Sequence, residues 1–264
     1  MSRPRTAAHL RTLESPLMEG TRTSTAPTPA QGARRLARLA GIAALTCVTL
    51  AAGGCSQSTP KADPAALLSA ARTTLDATPS VHFALTSQVP SRGAATILAG
   101  RGDLARPDSI QGSFTVSIAG FPAEVKVISS GGVFAAQLPF TSGYVKTEPS
   151  RFGLENPAQL MDPNSGITSL LAGATDPKLG PQVRIAGELL DTVTATVPGD
   201  KIPVLPDAAP QKPVAMVALI NPSNDQLRQI SLTGPFTSAS DNGTYVLTLT
   251  AYGEHVDIAL PAGI

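Results

Sequence analysis

Two histidines in the central and C-terminal parts of the sequence are the first candidates for acid–base chemistry. An imidazole acts as a general base only when it lies within hydrogen-bond reach of the proton that it removes. His82 and His255 each stand at a polar position of a stretch that alternates apolar and polar residues. Because successive residues of a strand point to opposite faces, both imidazoles are predicted to face solvent rather than an enclosed site.

The paired acidic residues give no stronger indication of catalysis. Asp103 and Asp108 flank one predicted turn. Glu188 and Asp191 flank another, and carboxylates in turns are usually solvated. The sequence contains no G-x-S-x-G elbow, no H-E-x-x-H helix, no glycine-rich phosphate loop and no calcium loop. We therefore predict no catalytic residue, no metal site and no cofactor, and an esterase or similar enzyme is the least favoured function.

The second of two cysteines stands in a context that indicates lipid modification. Residues 50–55 (Leu-Ala-Ala-Gly-Gly-Cys) resemble the bacterial lipobox, in which small residues precede a cysteine that is acylated on its sulfur. The apolar run 39–52 follows three arginines, which is the arrangement of an export signal. This run is shorter than the about 20 residues that a membrane span needs. We predict Cys55 as the lipidation site.

Two other interpretations of the cysteines remain open. The segment can be an ordinary secretory signal with an incidental cysteine. Cys47 is a poorer acylation candidate, because no small pair precedes it and the apolar run before it is shorter. If Cys55 is acylated, the mature chain carries no free thiol, which excludes disulfides, thiol catalysis and thiolate metal sites. Met1 and Met18 are both candidate starts.

Three segments are predicted: an N-terminal extension with a signal peptide (1–54), an acylated cysteine with a tether (55–62) and a folded domain (63–264). Residues 1–54 hold seven arginines and two glutamates, which leaves 13 basic and 17 acidic residues, a formal charge of −4, from residue 55 onward. A mildly acidic domain without basic runs argues against nucleic-acid binding. The seven tether residues after the cysteine reach at most ~25 Å, so the domain is predicted to stay near the bilayer.

The folded domain is predicted to begin with an amphipathic helix. Asp63 is a typical N-cap, and Pro64 suits the first helical position. Apolar residues at positions 67, 68, 71 and 75 share one stripe, and Thr78-Pro79 ends the helix. A second helical stretch, 155–175, contains a capped turn at Asn156-Pro157 and a short helix at 167–171.

Strands account for most of the remaining domain. Residues 81–137 alternate between apolar and polar types and are interrupted by turn clusters at 90–93, 106–108 and 129–132, which predicts an antiparallel meander. About five further strands are predicted at 183–185, 193–197, 214–220, 227–233, and 245–249 with 256–260. Since no linker separates the two groups, the fold class is α+β with a single domain.

The apolar faces of these strands supply little side-chain volume. The chain has no tryptophan and only seven phenylalanines, and the faces are rich in Ala, Gly and Val. Protein interiors are filled to a density of about 0.75, so a bent sheet with this composition needs additional material. Acyl chains can provide it at about 0.8 kcal/mol per buried methylene. Alternatively, the composition reflects coding bias and the sheet packs directly on its helices.

Four parts of the chain, taken in order, resemble one family. They are Cys55 with its signal, residues 162–171, residues 183–200, and residues 245–256. Together they look like the LppX/LprA/LprF/LprG lipoproteins of mycobacteria. The resemblance implies a strongly curved antiparallel half-barrel with helices on its concave side around an apolar cavity. It also implies carriage of triacylglycerol or multi-acylated glycolipids across the periplasm toward the outer envelope, from a membrane-anchored position, in some members beside a major facilitator export pump.

The alternation and the resemblance together select candidate lipid-binding residues on the apolar faces. These are Phe83, Leu85, Phe114, Val116, Ile118, Val125, Val127, Phe134, Leu138, Leu170 and Leu171. An alternative function stays open, in which the same half-barrel is a structural or lipid-sensing envelope protein that signals to a membrane partner.

Overall fold

Antiparallel strands and a small helical layer form the described part of the chain. The computed structural model describes residues 62–90, 96–118, 120–152, 155–202, 212–238 and 241–264. The predicted signal, Cys55 and the tether up to residue 61 lie outside the described residues, as does part of the predicted turn at 90–93. Within the described ranges, no helix combines the length and the apolar character needed to cross a bilayer.

The two α-helices are α1 (Pro64–Asp76) and α2 (Ile167–Ala172). Short 3₁₀ helices occupy Pro149–Phe152, Pro157–Met161 and Gly199–Lys201, of which the second is here named the Pro157 turn. The strands are β1 (Ser80–Gln88), β2 (Thr96–Ala105), β3 (Ser109–Ile118), β4 (Phe121–Ser130), β5 (Val133–Gln137), β6 (Val145–Lys146), β7 (Thr175–Leu179), β8 (Val183–Ile185), β9 (Glu188–Val197), β10 (Val214–Asn221), β11 (Gln226–Ser238) and β12 (Asp241–Thr250).

Helix α1 begins where its capping residues predict. The Asp63 carboxylate accepts a hydrogen bond of 3.0 Å from the backbone N–H of Ala65, and Pro64 occupies the first turn. Leu68, Ala71 and Leu75 are buried on one stripe of the helix. Both the predicted cap and the predicted apolar stripe are thus confirmed.

The strands form one open antiparallel sheet. Its order is β6-β5-β4-β3-β2-β1-β12-β11-β10-β9-β7, with β8 paired to β9. The first and last strands, β1 and β12, pair at the centre, for example Leu85 with Leu247. Helix α1 packs on β9, β10 and β11, whereas the Pro157 turn packs on β2 and β3. Because the helical layer meets both halves of the sheet in one core, the sheet curves around it, and the predicted α+β half-barrel is confirmed.

Two glycines allow close approach of β2 and β3 within the curved sheet. Gly102 and Gly112 are directly paired. A Cβ atom on Gly102 would collide with the Gln111 carbonyl, and one on Gly112 would lie 2.5 Å from the Arg101 carbonyl oxygen. A side chain at either position would therefore push these strands apart.

The prediction of a strand at 256–260 is wrong. The chain leaves β12 through Ala251 and Gly253, which have φ angles of +50° and +73°. The Gly253 N–H then donates to the Ser80 carbonyl, and the Tyr252 hydroxyl donates to the Leu227 carbonyl. Since β1 and β11 flank β12 on both sides, no free ladder position is left for the following residues, which run without strand pairing. His255 accordingly lies in this exposed segment and not on a strand.

Arg106 connects the helical layer to the sheet. Its guanidinium donates to the carbonyls of Leu75 and Thr78 at the end of α1 and to the Met161 carbonyl at the end of the Pro157 turn. The Asp76 carboxylate lies 3.5 Å from the same group. A cation at helix C-termini satisfies carbonyls that have no partner inside the helix. One side chain thus holds α1, the Pro157 turn and the turn between β2 and β3 together.

Replacing Arg106 should destabilise the fold. Arg106→Met removes a charged donor from three backbone carbonyls, and a hydrogen bond to a charged group contributes about 1.5–3 kcal/mol. We expect a loss of at least that size in the free energy of unfolding, measured by urea denaturation. Arg101→Met, at an exposed position of β2, is the control and should change stability little. Equal stability of the two variants would show that Arg106 does not hold the layers together.

Candidate functional site

A cavity of about 130 Å³ lies between the apolar face of the sheet and the helical layer. Its walls come from seven strands and from the Pro157 turn, α2 and the segment before β10. The lining residues are Phe83, Leu85, Thr96, Ile97, Phe114, Val116, Ile118, Val125, Val127, Phe134, Pro157, Leu160, Ile167, Leu170, Ile202, Ile230, Leu232, Tyr245 and Leu247.

The structure brings nine of the eleven predicted candidates into this lining. The remaining two are Leu138 and Leu171. Leu138 follows β5 and is 40% exposed, because β5 ends at Gln137. Leu171 is buried in the core on α2, but it is not among the residues that line the cavity.

Register explains why residues of four neighbouring strands point into one space. Leu85 pairs with Gly100, which pairs with Phe114, which pairs with Val125. Directly paired residues of an antiparallel ladder lie on the same face. These four directly paired residues therefore form a row across the sheet that carries three cavity-lining side chains and one glycine.

The glycine in that row makes room for an aromatic pair. A Cβ atom on Gly100 would lie 2.5 Å from the Phe114 ring. Phe83 and Phe114 come from β1 and β3, and their ring centroids are 5.7 Å apart with an interplanar angle of 31°. The missing side chain on the intervening strand allows the rings to meet above it.

Helical residues cover the opposite side of the cavity. Pro157 and Leu160 lie on the Pro157 turn, and Ile167 and Leu170 lie on α2. The Asn156 side chain caps the Pro157 turn by accepting a 3.0 Å hydrogen bond from the Ala158 N–H. The predicted cap at 156–157 thus places two apolar residues over the sheet.

Sequence reasoning missed the lining residues of β11 and β12. Ile230 and Leu232 belong to β11, and Tyr245 and Leu247 belong to β12. Their apolar alternation is visible in the sequence. What the sequence did not provide was the β1–β12 pairing, which brings the last strands beside the first across more than 150 residues of chain.

The cavity has an opening to solvent beside Ile118, which we name the mouth. Ile118 lines the cavity and is also 49% exposed, so the cavity reaches solvent at the end of β3. Leu85 and Val116 are half-buried lining residues near the same end. At the opposite end, Val81, Leu104 and Ile110 are fully buried, and the core is closed.

The described lining carries no charged side chain. Only Thr96 and Tyr245 bring polar side-chain atoms to it. The ring of Tyr245 packs edge-on against Phe236, with centroids 4.9 Å apart. Such a lining offers contact to apolar groups and almost no directed polar recognition.

Charged groups lie outside the cavity. Arg228 holds Glu188 with two hydrogen bonds of 2.7 and 2.8 Å, which together with a bond from Asn221 lowers the pKa of the Glu188 carboxyl. On the outer face of the sheet, His82 Nδ1 is 2.9 Å from the Asp103 carboxylate. Among the described residues, no three His, Cys, Asp or Glu side chains are grouped so as to hold a metal ion.

The chain is similar to named proteins of mycobacteria. It is 25% identical over 247 residues to the lipoarabinomannan carrier protein LprG of Mycobacterium bovis and of Mycobacterium tuberculosis, which covers 89% of this chain and 98% of each relative.

Solved structures share the fold. LprF from Mycobacterium bovis superposes with a TM-score of 0.60 at 16% identity, covering 76% of this chain and 97% of LprF. LppX from Mycobacterium tuberculosis gives a TM-score of 0.53 at 19% identity, covering 75% of this chain and all of LppX. The family model of the LppX_LprAFG lipoproteins matches residues 63–258, and this chain belongs to that family.

Proposed function

We propose that this protein is a membrane-anchored lipid carrier that holds acyl chains in its apolar cavity. The observation that carries the proposal is a cavity that reaches solvent and has no charged residue in its described lining. Burial of an acyl chain contributes about 0.8 kcal/mol per methylene without any hydrogen bond. The relatives named as lipoarabinomannan carriers support a lipid ligand that has acyl chains and a sugar headgroup.

The cavity volume limits how the lipid is held. An engineered apolar cavity of about 150 Å³ stays dry and binds one benzene. The present cavity, at about 130 Å³, therefore has room for part of an acyl chain. A triacylglycerol or a multi-acylated glycolipid must extend through the mouth or displace the side chains of the Pro157 turn and α2. In either case, the headgroup remains outside the apolar lining.

Membrane attachment through an acylated Cys55 forms the second part of the proposal. Membership of a lipoprotein family and the small residues before Cys55 support it. Two hydrophobic chains give stable attachment where a single chain gives only reversible binding. The domain would then face the cell envelope and carry lipid toward its outer layer, with a major facilitator export pump as a candidate partner. No enzymatic step is proposed.

A structural or lipid-sensing role is the alternative. It uses the same cavity but requires a membrane partner that distinguishes the filled from the empty domain. Carriage requires that lipid leave the cavity for an acceptor, whereas sensing does not. Transfer of bound lipid to acceptor vesicles therefore separates the two functions.

The first prediction of the proposed function concerns the cavity. Val125 is buried in its lining, and Val125→Trp should place the indole in space that a lipid chain would use. We expect a several-fold fall in lipid per protein with little change in thermal midpoint, measured by mass spectrometry and calorimetry on the same samples. Thr115→Trp, on the other face of β3, is the matched control and should keep its lipid.

Two outcomes would contradict this assignment. In a tightly packed core, overfilling costs about 1–3 kcal/mol, which corresponds to roughly 2–4 °C of midpoint per kcal/mol in a domain of this size. A large fall in the midpoint of Val125→Trp would therefore indicate a packed core. A stable variant with a full lipid load would show that lipid binds elsewhere.

The second prediction concerns the anchor. Wild-type protein should fractionate with membranes and carry acyl chains on Cys55. Cys55→Ala should either be released or remain held by an uncleaved signal, and Cys47→Ala is the control that should behave as wild type. A fully soluble mature wild type without lipid on Cys55 would overturn the anchor.

A further inference from the structure

Large apolar side chains project into solvent around one side of the mouth. We name this group the apolar rim, and it consists of Ile118, Phe121, Leu138, Phe140 and Val145. Phe121 is 77% exposed and Phe140 is completely exposed. Contiguous exposed apolar surface on a soluble domain usually marks a binding surface.

The rim continues the cavity-lining face of the sheet. Ile118 pairs with Phe121 at the end of the β3–β4 hairpin, so their side chains share a face. Val127 pairs with Ala136, which pairs with Val145. Val145 thus lies on the same face as the lining residue Val127. A lipid leaving the cavity at Ile118 would pass directly onto the rim.

The backbone around Phe140 holds its ring outward. Phe140 has a φ angle of +67°, which is unusual for a bulky residue. The Thr141 hydroxyl and N–H both donate to the Leu138 carbonyl, at 2.8 and 3.2 Å. Local hydrogen bonds thus hold the backbone at Phe140 in an unfavourable conformation that exposes its aromatic ring. The packing of the domain does not require this exposure.

The two segments that carry the rim contain no charge. Residues 117–123 and 138–145 consist of apolar, aromatic, small and hydroxyl residues only, including Tyr144 beside Val145. Aromatic residues with small polar neighbours are typical of the boundary between headgroups and acyl chains. The absence of charged residues from these two segments is consistent with contact with an acyl layer, because a charged group would lose its hydration there.

The position of the chain before α1 also favours contact of the rim with an acyl layer. Arg106 holds the C-terminal end of α1 at the turn between β2 and β3, which is the end opposite the mouth. Helix α1 is about 20 Å long at 1.5 Å per residue. It also contacts β7, which pairs with the last residues of β9 near the mouth end. The proposed tether of at most ~25 Å joins the domain at the N-terminal end of α1, which is the end of this helix away from Arg106.

We propose that the apolar rim inserts into the surface of the bilayer in which the protein is anchored, so that the mouth opens onto the acyl layer. This rests on the proposed carrier function and names the surface from which the carrier takes its lipid. Because Ile118 belongs both to the lining and to the rim, a chain can move from bilayer to cavity without crossing water.

The natural absence of tryptophan allows a direct test. Phe140→Trp introduces one fluorophore at the rim, and Ile185→Trp introduces one at an exposed apolar residue of β8, away from the mouth. The acylated full chain is reconstituted in vesicles of phosphatidylethanolamine and phosphatidylglycerol. The indole at position 140 should emit at shorter wavelength than the indole at position 185 and be quenched several-fold less by aqueous iodide. Phe121→Trp, as a second rim variant, should behave like Phe140→Trp.

Three results would overturn the proposal. The first is equal iodide quenching at the rim and at position 185, which would leave the rim in water. The second is protection that disappears when the protein is diluted in lipid, which would indicate contact with a second copy of the chain. The third is misfolding of both rim variants, seen by circular dichroism, which would make the exposed rings part of the domain's packing.

Lipid bound to the same variants separates this proposal from the carrier function. If the wild type and rim variants carry lipid but the rim stays in water, only the insertion is wrong. If no sample carries lipid, the carrier function itself is wrong.

Discussion

One apolar sheet face that the chain's own side chains do not fill is the constraint on which the rest of the structure depends. The face needs cover, which α1, α2 and the Pro157 turn provide. Toward the mouth, Gly100 and the small valine side chains of β3 and β4 leave space that no side chain occupies. Dense packing at one end and deficient packing at the other give a cavity with a defined opening.

The two ends of the domain therefore have different physical roles. At the closed end, Arg106 binds three backbone carbonyls and fixes the helices against the sheet. Beyond it, Glu188 and Arg228 form an ion pair, and the Arg228 guanidinium lies 5.9 Å from the centroid of the Tyr252 ring. Burial raises the pKa of the Tyr252 hydroxyl. These charged connections thus lie toward the closed end, whereas the described cavity lining is apolar apart from Thr96 and Tyr245. In the proposed function, this division lets lipid change the contents of the cavity without breaking the contacts that maintain the fold.

Local signals in the sequence predict local structure well in this chain. Asp63 and Asn156 cap helical segments as expected, and strict alternation places Phe83, Phe114 and Val125 on the lining. Long-range pairing was not available from these signals. The β1–β12 ladder adds lining residues that no local pattern assigns to the cavity, and it also leaves residues 256–260 without a strand partner. Leu138 fails as a lining residue because alternation does not reveal where β5 ends.

Native mass spectrometry of the acylated protein, purified from its own host, would show directly what the cavity holds. The account predicts a non-covalent adduct whose mass corresponds to a lipid with at least two acyl chains, in addition to the chains on Cys55. Dissociation in the gas phase should release that lipid intact. Protein that is empty as purified, and that takes up neither added triacylglycerol nor added glycolipid, would contradict the central claim that acyl chains fill the cavity.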